Sequence, residues 1–212
     1  MISRDASFTF LSRIEEIECN IKDSRWQSAL ALALTLPDIC GGIAYPEIVK
    51  RYRDGRIRYD RQNNPARDVG AQYITWFNEY AAPFFKMMPD DDSPYISGER
   101  SWQLRCEYLH QNKGFANTDD DNEIRFHLGV NCGTSICQFE IIEDFDPAKD
   151  IRIDIEQFCL RMCRAARSFY DEMHLEKDFS IYNTPVLDFI GVSDRLKESK
   201  PGFLQRIKEA LK

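Results

Sequence analysis

The sequence predicts a mainly α-helical bundle with one inserted β-hairpin. Apolar residues recur at helical spacing along most of the chain, as in Phe10, Ile14, Ile17 and Ile21. The convincing β signal, alternation of apolar and polar residues on either side of a turn, falls in the stretch from 123 to 142. The charged fraction, 30%, lies slightly above the usual quarter and suits a helix-rich protein.

The elements follow in order. The Phe10–Ile21 stripe is one face of an amphipathic helix. Asp23 or Ser24 then offers an N-cap for "RWQSALALALTL", which is apolar around most of its girth and so is expected near the bundle centre. Pro37 and the Gly41-Gly42 pair are expected to end it. From Tyr45 to Arg67 there is little apolar periodicity, and a long loop is expected. A helix at about 68–82 buries Val69, Tyr73, Trp76, Phe77 and Tyr80, and "PFFKMMPDDDSP" connects it onward. Ser97 caps the next helix, with Glu99 in its first turn where the helix dipole favours a negative charge. Gly114 is its natural terminator.

In the hairpin, Ile124, Phe126, Leu128 and Val130 alternate, "NCGT" turns, and Cys137, Phe139 and Ile141 return. A long helix from Asp150 or Ile153 to His174 carries Ile155, Phe158, Cys159, Met162, Ala166, Phe169, Tyr170 and Met173 at helical period. The tail has an apolar segment around 186–190 and a helix opened by Pro201, with Leu204, Ile207 and Leu211 on one face. The expected organisation is one helical domain over 1–212, carrying the hairpin at 123–142 and a helical extension at 176–212.

Composition bounds the function. With 43% hydrophobic and 12% aromatic residues in 212, there is material for a sizeable core. The longest apolar run, Ala29 to Leu36, falls short of the roughly 18 residues of a membrane span and stops at Pro37. The opening "MISRDASFTF" lacks the apolar core and cleavage site of a signal peptide. Seven cysteines without regular spacing suit a reducing compartment, so a cytoplasmic location with no membrane association is expected. The chain carries −7, which repels nucleic acid at long range. Its charge is uneven. Between Lys50 and Arg67 stand seven basic residues (Lys50, Arg51, Arg53, Arg56, Arg58, Arg61, Arg67) against Asp54 and Asp60, a net +5 that leaves −12 on the rest. Such a strip suits phosphates; a solvated loop face is the plainer account.

Glycine-rich phosphate loops, dinucleotide fingerprints, paired-histidine zinc helices and G-x-S-x-G elbows are absent. His127, Cys132, Cys137, Cys159 and Cys163 match no standard zinc spacing, and no metal or cofactor is expected. Asp38, in "LPDICGG", is expected either to cap a short helical turn or to face a cleft near the bundle centre. In "SGERSWQLRCEYLHQ", Trp102, Cys106 and Leu109 anchor a helix. Arg105 and His110 are five apart, about 140° around an ideal helix. Either they do unrelated jobs, or the helix relaxes near His110, or a second copy completes a shared site.

An arginine and a histidine separated by four residues, near the end of a helix in an all-α chain, resembles the R-x(4–6)-H motif of the HEPN superfamily. Many members of that superfamily are metal-independent RNA endonucleases of defence and toxin–antitoxin systems, and the stretches "ALALTLPDICG" and "RCEYLHQ" resemble bacterial and mobile-element proteins. The nucleases pair two motifs across a dimer cleft. The resemblance covers roughly residues 5 to 175; in the nucleases the residue after the arginine is commonly polar, and here it is Cys106. It implies a homodimer that cleaves RNA through the neighbouring 2′-hydroxyl. His110 would move the proton and Arg105 would stabilise the phosphorane-like transition state. Glu107, Gln111 and Asp38 would support the site. Lys50, Arg51, Arg53, Arg56, Arg58 and Arg61 would track the RNA backbone. The same resemblance admits a non-catalytic module that binds a nucleotide or a partner such as an antitoxin. Residue chemistry alone admits a third account: Arg105 pairs with a carboxylate of an adjacent helix and His110 caps its own helix.

Overall fold

The computed structural model describes residues 7–86, 90–111, 124–132 and 149–185. It is mainly helical, and the chain divides into two compact units, Leu11–Phe179 and a second formed by Met1–Phe10 with Ser180–Lys212. In the second unit, β1 (Ser7–Phe8) pairs antiparallel with a short strand at Thr184–Pro185. The segment around 186–190 and the helix expected after Pro201 lie outside the described residues.

Helix α1 (Phe10–Lys22) buries Phe10, Ile14, Ile17 and Ile21, the stripe read from the sequence. Ser24 takes a left-handed turn (φ 58°) rather than capping the next helix, whose N-cap position is Arg25. The single apolar helix expected there is two, α2 (Trp26–Ala33) and α3 (Leu36–Ala44), with the Thr35 hydroxyl donating to the Leu32 carbonyl at the break (2.7 Å). Pro37 stands in the first turn of α3, where backbone N–H groups have no helical partner, so it starts a helix instead of ending one. The glycine pair lies inside α3. A Cβ on Gly41 would sit 2.5 Å from the Gln72 carbonyl oxygen, so glycine lets two helices cross in contact. Taken together, Trp26–Ala44 is long and apolar enough to cross a membrane, contrary to the reading of its sequence; 67% of its apolar 18-residue window is buried inside the fold.

Helix α4 (Val69–Trp76) is capped by Asp68, whose carboxylate accepts from the Ala71 N–H. It continues through a π-helical turn, Phe77–Ala81, into a 3₁₀ turn at Ala82–Phe85. Tyr73, Trp76, Phe77 and Phe85 are fully buried, while Val69 and Tyr80 are partly exposed. Helix α5 (Gly98–Cys106) is capped by Ser97 as expected, its hydroxyl accepting from the Arg100 N–H (3.4 Å).

Two strands, β2 (Arg125–Gly129) and β3 (Asp150–Asp154), pair in parallel, with Arg125 opposite Asp150. The expected hairpin partner, Cys137 to Ile141, lies outside the described residues. Asp150–Asp154, expected as the start of the long helix, is a strand: its isoleucines alternate with polar residues. Asp154 then caps α6 (Ile155–Met173) by accepting from the Gln157 N–H (2.9 Å). Helix α6 lays Phe158, Met162, Ala166 and Phe169 into the core, where Phe169 meets Trp76 edge-on and Phe158 meets Phe85. Fully burying each such ring contributes roughly 1.5–3 kcal/mol.

Candidate functional site

Three helices bring together residues far apart in sequence. Helix α3 carries Asp38, α4 carries Gly70, Gln72 and Tyr73, and α5 carries Ser101, Trp102 and Arg105. Gly41 admits the α4 backbone, and Gly70 admits the Trp102 indole, whose Cζ2 lies 3.2 Å from where a Cβ would be. Tyr73 packs edge-on against Trp102 and shares a hydrogen bond with the Ser101 hydroxyl (2.8 Å). Burial pushes the Tyr73 phenol well above its ordinary range.

Arg105 lies over Trp102, its guanidinium carbon 5.0 Å from the ring centroid. Its Nε and Nη2 donate to one carboxylate oxygen of Asp38, at 3.2 and 2.9 Å. The two side chains are only 15% and 18% exposed. Asp38 thus meets a cation on a neighbouring helix. The cation–π contact and the ion pair together fix the guanidinium plane.

Past Cys106 the helix changes its hydrogen bonding. Residues Glu107–Gln111 form a π-helical turn, with i→i+5 bonds. That wider turn brings residues five apart nearer to one face than an α-helix does, so the backbone relaxes at His110. The side chains of His110 and Gln111 lie outside the described residues. Glu107 accepts from the Gln103 amide (3.0 Å).

The basic segment is folded, and its expected loop character is corrected by its backbone bonding. Three evenly spaced arms, centred on Lys50, Arg58 and Ala66, close into a triangle. The Lys50 N–H donates to the Ala66 carbonyl (2.7 Å), the Ala66 N–H to the Arg58 carbonyl (2.8 Å), and the Arg58 N–H to the Lys50 carbonyl (2.9 Å). The bridges Val49↔Arg67, Arg51↔Ile57 and Tyr59↔Pro65 repeat with the same spacing. Gly55, at φ 83°, makes the first corner, where the Tyr52 N–H donates to the Arg56 carbonyl. Asn63, at φ 62°, lies in the second, where the Asp60 carboxylate accepts from the Gln62 and Asn64 N–H groups (2.8 and 2.9 Å). Those bonds hold the Asp60 carboxyl below its usual range, the one from Asn64 foremost. The signals were in the sequence, as "DG" and "NN" at matching intervals.

Arg67 ties this meander to the helices. Its Nη2 donates to the Asp38 carbonyl and its Nε to the Gln72 side chain, both at 2.8 Å. The buried Gln72 amide in turn donates to the Tyr45 and Ile48 carbonyls (2.9 and 3.0 Å). Lys50, Arg51, Arg53, Arg56, Arg58 and Arg61 are all exposed. Arg51 donates to the Gly55 carbonyl, and Arg56 pairs with Asp54. Two tyrosines share this surface, Tyr52 at 53% and Tyr59 at 55% exposure, with Arg56 and Arg58 over the Tyr52 ring. Sequence reasoning passed over both tyrosines.

A second charged cluster stands on the parallel strands. The Asp150 carboxylate, 1% exposed, takes the His127 Nε2 at 2.7 Å and the Arg125 Nη2 at 2.6 Å. Among the described residues, no three His, Cys, Asp or Glu side chains gather as a metal site, and Cys137 lies outside them. Burial raises the thiols of Cys40, Cys159 and Cys163, the last to about 12, which keeps them protonated.

Compared with protein-family models, curated proteins and solved structures, the chain matches none.

Proposed function

We propose that the chain is a HEPN-like helical module that binds RNA on the triangular basic meander of residues 49–67. One observation carries this reading: the meander is a folded, exposed platform that concentrates six basic side chains and is anchored through Arg67 beside Asp38. The −12 carried by the rest of the chain directs a polyanion to this surface. The arrangement of Arg105 supports a binding module over a nuclease, because its guanidinium is engaged by Asp38 and stacked on Trp102. The test is anisotropy of a labelled RNA titrated with the full chain, against Arg53→Glu, Arg58→Glu and Arg61→Glu combined. Affinity should fall at least about a hundredfold. With around six phosphate contacts, the salt slope of the native chain should approach −4. A charge-reversed variant that binds as well as the native chain would remove the platform from the reading.

A second reading, metal-independent RNA cleavage by a cytoplasmic homodimer of defence or toxin–antitoxin type, is supported by the π-helical turn at His110. It requires EDTA-resistant cleavage that disappears in His110→Ala. The alternation of Cys137, Phe139 and Ile141 likewise supports a return strand completing a hairpin with β2.

A further inference from the structure

We propose that the meander selects single-stranded over duplex RNA by stacking unpaired bases on Tyr52 and Tyr59; this rests on the RNA-binding reading and adds the class of RNA. Among the described residues of the helical unit, the aromatic rings other than Tyr52 and Tyr59 are buried or half-buried. Among the described residues, the large apolar side chains of that unit that stand exposed are Tyr52, Tyr59, Val130 and Leu175. Both aromatic members lie within the basic meander.

Their placement suits stacking. Tyr59 belongs to a bridged arm, paired with Pro65, and the Tyr52 backbone is held across the Gly55 corner. Each ring therefore projects from a fixed backbone with only two side-chain torsions left to order, so little entropy is lost when a base lands on it. Around Tyr52, the guanidinium carbons of Arg56 and Arg58 lie 5.7 and 5.5 Å from the ring centroid. Both guanidiniums lie over the ring, so a base that stacks on Tyr52 takes their place and releases them to the phosphates that flank it.

Duplex RNA cannot use such a surface. Its bases are stacked on one another, and its major groove is too deep and narrow for side chains to read. Arginines alone would bind duplex and single strand through phosphates with little distinction. Exposed rings beside the charges give a preference for strands whose bases present free π-faces.

The experiment uses the full chain and two fluorescent probes of equal length: a non-self-complementary oligoribonucleotide, 2′-O-methylated so that it cannot be cleaved through its 2′-oxygen, and the same strand annealed to its complement. Single-strand affinity should exceed duplex affinity by about tenfold or more. Tyr52→Ala and Tyr59→Ala should each weaken single-strand binding about tenfold, as expected for loss of one stacked base, and leave duplex binding and the salt slope unchanged. Tyr52→Phe and Tyr59→Phe, which keep the ring, should bind like the native chain. Binding of both probes with equal affinity, or full single-strand affinity in the alanine variants, overturns the stacking proposal and leaves RNA binding standing. Failure of the native chain to bind either probe overturns RNA binding itself.

Discussion

The Asp38–Arg105 pair is tested by a double-mutant cycle on stability. Arg105→Ala takes from the Asp38 carboxylate, 18% exposed and near the buried Tyr73, its ion pair with Arg105 and removes the cation over Trp102. Exposed ion pairs contribute at most about 1 kcal/mol, whereas breaking a fully buried one costs roughly 3–5 kcal/mol. At this burial the loss should lie between those limits, near 3 kcal/mol, of which the cation–π contact supplies about 0.5–1 kcal/mol. Asp38→Ala should cost less, about 2 kcal/mol, because the longer arginine can extend its head to water and keep its stem on Trp102. Removing both takes away the carboxylate together with its cation, so the double variant should be more stable than the summed losses require by about 2 kcal/mol. For a chain of this size, 1 kcal/mol moves Tm by roughly 2–4 °C, which puts Arg105→Ala about 6–12 °C below the native protein. Urea unfolding gives the cycle directly. A coupling energy below about 0.5 kcal/mol would refute the reasoning: Arg105 would then be unrestrained by Asp38 and open to substrate.

Two further outcomes test the frame around that pair. Gly41→Ala places a methyl 2.5 Å from backbone that cannot yield, so overpacking of about 1–3 kcal/mol should outweigh the roughly 1 kcal/mol that alanine gains in a helix; Gly70→Ala, which meets the Trp102 ring at 3.2 Å, should cost less. Unfolding midpoints that rank the two the other way would contradict the close α3–α4 crossing. Glu99 is held below the ordinary carboxylate range by its own backbone N–H first, then by the Ser97 hydroxyl. A depressed folded pKa means stability that is full above the unfolded value, about 4.3, and lost as pH falls through the folded one. Glu99→Gln should therefore show a shallower decline of Tm between about pH 5 and pH 3, and an identical decline would assign the effect to other carboxylates.

Local signals carried the helices that could be read from the sequence. The Phe10–Ile21 stripe, the Ser97 cap with Glu99 and the period of Phe158 to Phe169 each concern residues within a turn or two of one another, where backbone geometry alone dictates which side chains share a face. The same logic misplaced Pro37 and the Gly41-Gly42 pair. Both are terminators by local rule, and only the arrival of α4 against Gly41 makes glycine useful inside a helix. It also took Ile151 and Ile153 into the helix that follows them, because a short alternating run beside a strong helical period is easily absorbed by it.

The candidate site divides the same way. From its own residues the sequence determined that a basic strip exists, that Arg105 and His110 share a helix end, and that an arginine there needs either a substrate or a carboxylate. Which carboxylate it meets is decided by the packing of α3 and α5 on α4, which brings together residues 67 positions apart in the chain. The closure of the meander, the anchoring by Arg67 and the parallel pairing of β2 with β3 are likewise matters of tertiary structure. A charge or an unpaired backbone group specifies that it must be compensated, and that requirement is written locally. The partner that compensates it is selected by which distant segments the folded core brings within hydrogen-bonding distance.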